Sequence, residues 1–182
     1  MSERVVEHAN GVYHLFCQHY PDDVKWDPMH WSHAVSHDLV HWTEAAIALA
    51  PDGLGECFSG SAAVDWQNTS RLGRNGIPPL LAFYTAAGSR LSPRMPDTQC
   101  VAFSNDEGLT WQKYDSNPVL SQVVVGYRDP KVFWYEPTKR WIMVLYLNGS
   151  TFALFGSSDA RTWTELSRFE VQGQESDPIP IE

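Results

Sequence analysis

The sequence predicts an all-β protein that forms part of a β-propeller, with about three blades of short antiparallel strands. Short segments rich in aromatic and β-branched residues alternate with turn formers, and no segment shows a sustained helical period of apolar residues. A weak repeat, Ser-x-Asp followed four or five residues later by Trp, begins at Ser36, Ser104 and Ser157. The distance between copies suits one blade of four strands, and such radial repetition is typical of propellers.

Eight segments have the composition of strands, and Pro, Asp, Asn and Gly cluster between them. Each copy of the repeat follows one of these segments. Its Ser and Asp side chains are therefore expected to bond to the backbone of a turn, with the Trp covering the edge of the sheet. The predicted strands are residues 13–18, 30–36, 58–65, 80–85, 100–104, 131–135, 141–146 and 151–157.

Length and composition narrow the class of protein. A chain of 182 residues suggests one domain, residues 1–182, and its eight Trp are compatible with stacking on sugar rings. The net charge of -9 argues against nucleic acid and anionic membranes as partners. No apolar run reaches the roughly 18 residues of a membrane span, and no signal-peptide pattern opens the chain, so the sequence assigns no compartment.

The cysteines and histidines form no metal signature. Three widely spaced cysteines fit neither a disulfide framework nor a zinc motif, so free thiols are expected. The seven histidines show no ligand spacing either. We therefore predict no metal and no cofactor.

Several motifs appear in a fixed order along the chain. They are NGVYHLFCQHYP at 10–21, WDPMHWSHAVS at 26–36, CFSGSA at 57–62 and YRDPKVF at 127–133. Together they resemble glycoside hydrolase family 32, which includes invertases, levanases, inulinases and sucrose-phosphate hydrolases. The resemblance implies a five-bladed propeller, usually followed by a β-sandwich, and retaining hydrolysis of β-fructosides such as levan, inulin or sucrose. The later blades and the sandwich are expected to lie outside these 182 residues, so that both ends look cut.

The resemblance also assigns roles to carboxylates. Asp129 matches the family carboxylate that holds fructosyl hydroxyls and steadies the transition state, and Arg128 stands beside it. Glu175 lies where the acid/base is expected, although the family's Glu-Cys-Pro-Asp is replaced here by Glu-Ser-Asp-Pro. The nucleophilic Asp has no match, because its position falls at or before Met1. The chain alone is therefore expected to be inactive or nearly so, since retention needs two carboxyl groups.

Four further residues match sugar-contacting positions of the family. The amide of Gln18 and the hydroxyl of Ser59 suit sugar hydroxyls, while Trp26 and Phe58 offer apolar walls.

Two alternatives bear on function, and a non-catalytic carbohydrate-binding propeller is the main one. Separately, open blade edges predict self-association. A sialidase-like propeller would need an arginine cluster, which this sequence lacks.

Overall fold

The computed structural model describes residues 4–9, by their backbone alone, together with 11–24 and 26–171. Within these ranges the chain forms three separate four-stranded sheets, and it contains no helix long and apolar enough to cross a membrane. The strands are β1 Arg4–Ala9, β2 Val12–His19, β3 His30–Ser36, β4 Thr43–Glu44, β5 Glu56–Val64, β6 Leu80–Ala87, β7 Thr98–Ser104, β8 Gln112–Lys113, β9 Arg128–Tyr135, β10 Arg140–Asn148, β11 Thr151–Ser157 and β12 Thr164–Glu170. Two short 3₁₀ turns, Gly88–Arg90 and Glu136–Thr138, complete the list.

Each sheet is an antiparallel meander of four consecutive strands, as a propeller blade requires. Blade 1 is β1–β4, blade 2 is β5–β8 and blade 3 is β9–β12. The first strand of each blade contacts the first strand of the next, β1 with β5 and β5 with β9. These three strands are therefore the innermost ones, and the predicted all-β, three-bladed architecture is confirmed.

The eight predicted strands all occur, and the structure adds four that the sequence pattern missed. Two of these, β4 and β8, are only two residues long, and β1 was not predicted. The fourth, β12, is exposed along its whole length, so it has none of the apolar alternation that marks a strand. It is defined instead by backbone pairing with β11. Within it, Arg168 forms a bidentate ion pair with Glu165 at 2.7 and 2.9 Å.

The Ser-x-Asp repeat forms the same turn in every blade, between the third and fourth strands. The Ser Oγ to Asp Oδ1 distance is 3.2 Å for Asp38, 2.7 Å for Asp106 and 3.0 Å for Asp159. Each carboxylate also accepts backbone N–H groups further along its turn. In the second copy, Trp111 donates its Nε1–H to the carbonyl of Gly108 at 3.1 Å. The turn chemistry inferred from the repeat is confirmed.

The core lies between blades, and blade 2 is its centre. Every residue of β6 is buried, because the strand faces a neighbour on both sides. Leu81 and Phe83 pack towards blade 3, against Trp141 and residues around it. Ala82 and Tyr84 pack towards blade 1. Because successive side chains of β6 pack against opposite neighbours, they fix how the three blades are arranged around one another. This packing also fixes where the side chains at the inner ends of the blades lie.

Candidate functional site

The candidate residues gather where the innermost strands begin. Phe58 and Ser59 lie near the start of β5, and Arg128 and Asp129 are the first two residues of β9. Gln18 lies near the end of β2, and the partner strand β1 begins beside it. Since the three blades share one orientation, these residues lie at the same end of the propeller, with Gln18 in contact with Ser59 and Arg128 in contact with Asp129.

Both strand beginnings are irregular, and the irregularity presents the side chains. In β5, Cys57 pairs with Ala86 and Gly60 with Tyr84, so two residues face one across the ladder. A Cβ at Gly60 would come within 1.9 Å of a backbone carbonyl oxygen, so this close approach requires glycine. Such bulges turn side chains away from the ladder and are frequent beside functional sites.

A second bulge occurs at the matching place in β9. Lys131 pairs with Val144 and Arg128 with Tyr146, which leaves two residues on β9 opposite one on β10. Within this bulge Asp129 adopts a φ of +63°, a left-handed conformation that is uncommon for a residue with a Cβ. Backbone strain of this kind concentrates at functional sites.

Gln18 and Ser59 join blade 1 to blade 2 at the site. The Gln18 amide Nε2 donates a hydrogen bond to the Ser59 hydroxyl. Ser59 is only 7% exposed, and the Gln18 Oε1 is buried with no hydrogen-bond partner in the described part of the chain. The hydrogen bond to Ser59 thus orients the Gln18 amide, and its buried oxygen is an acceptor without a described partner.

Trp26 and Phe58 form an apolar wall. Their rings meet edge to face with centroids 5.9 Å apart, and Trp26 is 51% exposed. The indole Nε1 of buried Trp31 donates to the backbone carbonyl of Phe58 at 2.9 Å, which anchors one side of the wall. An exposed indole braced in this way suits stacking on a flat apolar face.

Arg128 and Asp129 form a partly exposed ion pair at the start of β9. The Arg128 Nε lies 3.4 Å from the Asp129 Oδ2. Its guanidinium also lies 4.6 Å from the centroid of the Tyr146 ring and donates to the Gly126 carbonyl at 3.1 Å. These contacts fix the guanidinium plane while leaving the carboxylate within reach of a ligand.

Glu175 lies outside the described residues, so its predicted role stays a prediction. Sequence reasoning did not single out Glu56, a carboxylate that is 5% exposed at the first position of β5. Its Oε2 accepts the Met29 N–H at 3.2 Å, and its Oε1 lies 3.5 Å from the Nε of Arg90. A charged residue directly before a buried strand is the only signal that could have marked it. Among the described residues, no group of three or more His, Cys, Asp or Glu could hold a metal.

Three antiparallel four-stranded sheets packed side by side, with the candidate polar and aromatic groups at the same end of their innermost strands, define part of a β-propeller. Residues 5–179 match the profile of the Glycosyl hydrolases family 32 N-terminal domain, and the chain belongs to this family. The resemblance found in the motifs is thereby confirmed.

Curated relatives carry names of fructan-cleaving enzymes. Levanase from Bacillus subtilis (strain 168) is 46% identical over 160 residues, which cover 87% of this chain and 23% of that protein. Fructan beta-fructosidase from Streptococcus mutans serotype c is 44% identical over 180 residues, covering 94% of this chain and 12% of that protein. The chain thus spans less than a quarter of the length of either relative.

Solved structures show the same architecture. Exo-inulinase from Aspergillus awamori superposes with a TM-score of 0.83 at 34% identity, covering 93% of this chain and 37% of that one. A fructofuranosidase from Schwanniomyces occidentalis complexed with fructose gives a TM-score of 0.81 at 34% identity, covering 93% and 34%. The partial propeller fold is therefore shared with enzymes of this family.

Proposed function

We propose that this chain supplies the fructosyl-binding part of a retaining glycoside hydrolase that acts on levan, inulin or sucrose. The observation that supports the proposal is the placement of the Gln18–Ser59 hydrogen bond and the bulged Asp129 at the same end of neighbouring innermost strands. Fructosides present hydroxyl groups on a compact ring, which these donors and acceptors suit. The names of the relatives support the same substrate class.

Each residue has a role in this proposal. Asp129 accepts hydrogen bonds from fructosyl hydroxyls, and its charge steadies the oxocarbenium-like transition state. Arg128 orients that carboxylate through their ion pair. Gln18 and Ser59 bind further hydroxyls. Trp26 and Phe58 form an apolar wall beside the ring.

The catalytic step needs more than these residues. A retaining mechanism uses a nucleophilic carboxylate and an acid/base about 5–5.5 Å apart. Glu175 is proposed as the acid/base, on its place in the sequence alone. No residue of the 182 matches the family's nucleophile, and Asp129 matches a different carboxylate. We therefore expect the isolated chain to bind fructosides with little or no hydrolysis.

Titration calorimetry with 1-kestose, together with an assay for released fructose, tests the proposal. Asp129→Asn keeps a side chain that tolerates positive φ but removes the charge, so affinity should fall at least about tenfold. Asp115→Asn, the same change at an exposed turn between blades, is the matched control and should leave affinity unchanged. Absence of binding by the unaltered chain, or equal affinity of the two variants, would refute the binding role.

A non-catalytic carbohydrate-binding propeller is the second candidate, favoured by the replacement of the family's Glu-Cys-Pro-Asp by Glu-Ser-Asp-Pro at residues 175–178. The two candidates make the same prediction for binding and differ for turnover. Rapid fructose release by the purified chain would exclude the non-catalytic candidate and show that another carboxylate acts as nucleophile. Release that disappears in Glu175→Gln would confirm the acid/base assignment.

We also propose that copies of the chain associate through the open edge of blade 3 and through its face that points away from blade 2, called here the far face of blade 3. Phe133 and Tyr135 project from β9 and are 40% and 43% exposed, and Phe169 on β12 is 42% exposed. Tyr146 and Phe152 continue this apolar surface, with Phe152 stacked on Phe169 at 5.7 Å between centroids. β12 also ends its sheet with an open edge. Such a surface favours contact with another sheet.

A further inference from the structure

The bulge at Asp129 and the inner edge of β9, which pairs with no other described strand, leave backbone groups outside the β9–β10 ladder, and these groups need other partners. Two hydroxyls of blade 2 supply them. Ser61 donates to the Pro130 carbonyl at 2.7 Å and accepts the Val132 N–H at 2.8 Å. Thr85 accepts the Asp129 N–H at 3.2 Å. Blade 2 therefore shapes the segment of blade 3 that carries the site carboxylate.

Thr85 is suited to this task by its place in the sheet. It lies in β6 opposite the β5 bulge, between the pairs Cys57–Ala86 and Gly60–Tyr84. Its side chain is buried, with the residue 1% exposed. A buried hydroxyl is a firm partner, because it cannot exchange its protein partners for water.

Gln99 sets the direction of the Thr85 hydroxyl. The Thr85 hydroxyl donates to the Gln99 Oε1 at 2.9 Å, which leaves its lone pairs for the Asp129 N–H. Gln99 is fully buried, and both its backbone N–H and its backbone carbonyl form hydrogen bonds to the loop before β9. Its N–H donates to the Leu120 carbonyl, and its carbonyl accepts the N–H groups of Val119 and Leu120.

We propose that Thr85, oriented by Gln99, is a positioning residue that holds the Asp129 backbone in its left-handed conformation and so aims the carboxylate into the site. A non-glycine residue at φ +63° persists only where its surroundings fix it. Without the bond to Thr85, rotation of the peptide between Arg128 and Asp129 relieves the strain and redirects the side chain. The consequence for sugar binding rests on the proposed function, whereas the backbone role does not.

Amide exchange measured by NMR tests the backbone role without any sugar. In Thr85→Val, which keeps the shape and loses the hydroxyl, the Asp129 amide proton should exchange about tenfold faster. Thr85→Ser restores the hydroxyl and should return exchange to near the original rate. Thr98→Val, the same change at a buried threonine on the neighbouring strand, should not alter it. Unchanged exchange at Asp129 in Thr85→Val would overturn the proposal.

Gln99→Met is the second variant, and it tests the role of the Thr85 hydroxyl at Asp129 if Thr85→Val fails to fold. It removes the acceptor of the Thr85 hydroxyl at similar volume, so Asp129 exchange should rise by a smaller factor, about threefold. Exchange equal to that of the unaltered chain would count against orientation by Gln99.

Titration with 1-kestose then separates this inference from the proposed function. Thr85→Val should lower affinity about fivefold to tenfold, with recovery in Thr85→Ser. Accelerated exchange at Asp129 with unchanged affinity would remove the link to the sugar. If the unaltered chain does not bind 1-kestose, the proposed function fails, and the exchange data alone decide whether Thr85 positions Asp129.

Discussion

Ser61 is a small buried side chain whose loss should cost far more than its size suggests. The residue is 1% exposed, and its one hydroxyl serves two backbone groups of the next blade. In Ser61→Ala, the Pro130 carbonyl loses a donor and the Val132 N–H loses its acceptor. Val132 is itself 1% exposed, so water cannot easily replace the lost partner.

The expected magnitude follows from the two unpaired groups. A buried backbone group left without its partner costs about 1–3 kcal/mol. The free energy of unfolding should therefore fall by about 2–6 kcal/mol, a large share of the stability of an ordinary domain. Ser70→Ala is the matched control, since Ser70 is fully buried but accepts only one long bond, from the Leu72 N–H at 3.3 Å. That change should cost less than about 1 kcal/mol.

Urea unfolding followed by tryptophan fluorescence measures both variants in the same buffer, with the slope checked for two-state behaviour. Tryptophans lie in the blade 2–blade 3 interface, so the signal reports the affected region. Equal loss of stability in the two variants would refute the reasoning, because it would mean that the bulge finds its partners elsewhere.

Two further predictions concern pH and association. Burial, together with His14 at 3.0 Å, lowers the pKa of His33 from 6.5 to about 4, so folding favours the neutral imidazole. The free energy of unfolding should therefore be full above pH 6.5 and fall as the pH drops towards 4. In His33→Phe, this part of the loss should disappear from pH-dependent urea unfolding. If copies associate through the far face of blade 3, light scattering should show a mass that grows with protein concentration. Phe133→Lys should shift the chain towards monomer. Leu109→Lys, the control at an exposed turn of blade 2, should not. A stability curve of the same shape in His33→Phe, or a monomer at every concentration, would contradict these expectations.

The strands and the repeated turns were predictable because their signals are local. Alternation and turn residues act over a few positions, and each copy of the Ser-x-Asp turn closes its hydrogen bonds within itself. The start of β9 was harder to predict from the sequence. Arg128, Asp129 and Pro130 do not have the composition of a strand, and the sequence predicted a start at residue 131. The strand begins earlier because hydroxyls from another blade satisfy its bulge.

The candidate site was predictable only through its resemblance to a family. Gln18 and Ser59 are 41 positions apart and belong to different blades, so no local pattern links them. The motifs named both residues but not the hydrogen bond between them. The prediction for Glu175 remains untested.

Sequence reasoning did not identify the residues that hold the Asp129 bulge, because their roles depend on contacts between blades. Thr85, Gln99 and Ser61 have the polarity and spacing of ordinary strand residues, and their roles appear only when the ladders are aligned across blades. A bulge frees backbone groups at the inner end of one blade, and the all-buried strand β6 places a hydroxyl against them from the next. The carboxylate geometry is thus a property of the contact between two blades. Substitutions that loosen this contact should weaken the site even where they touch no ligand.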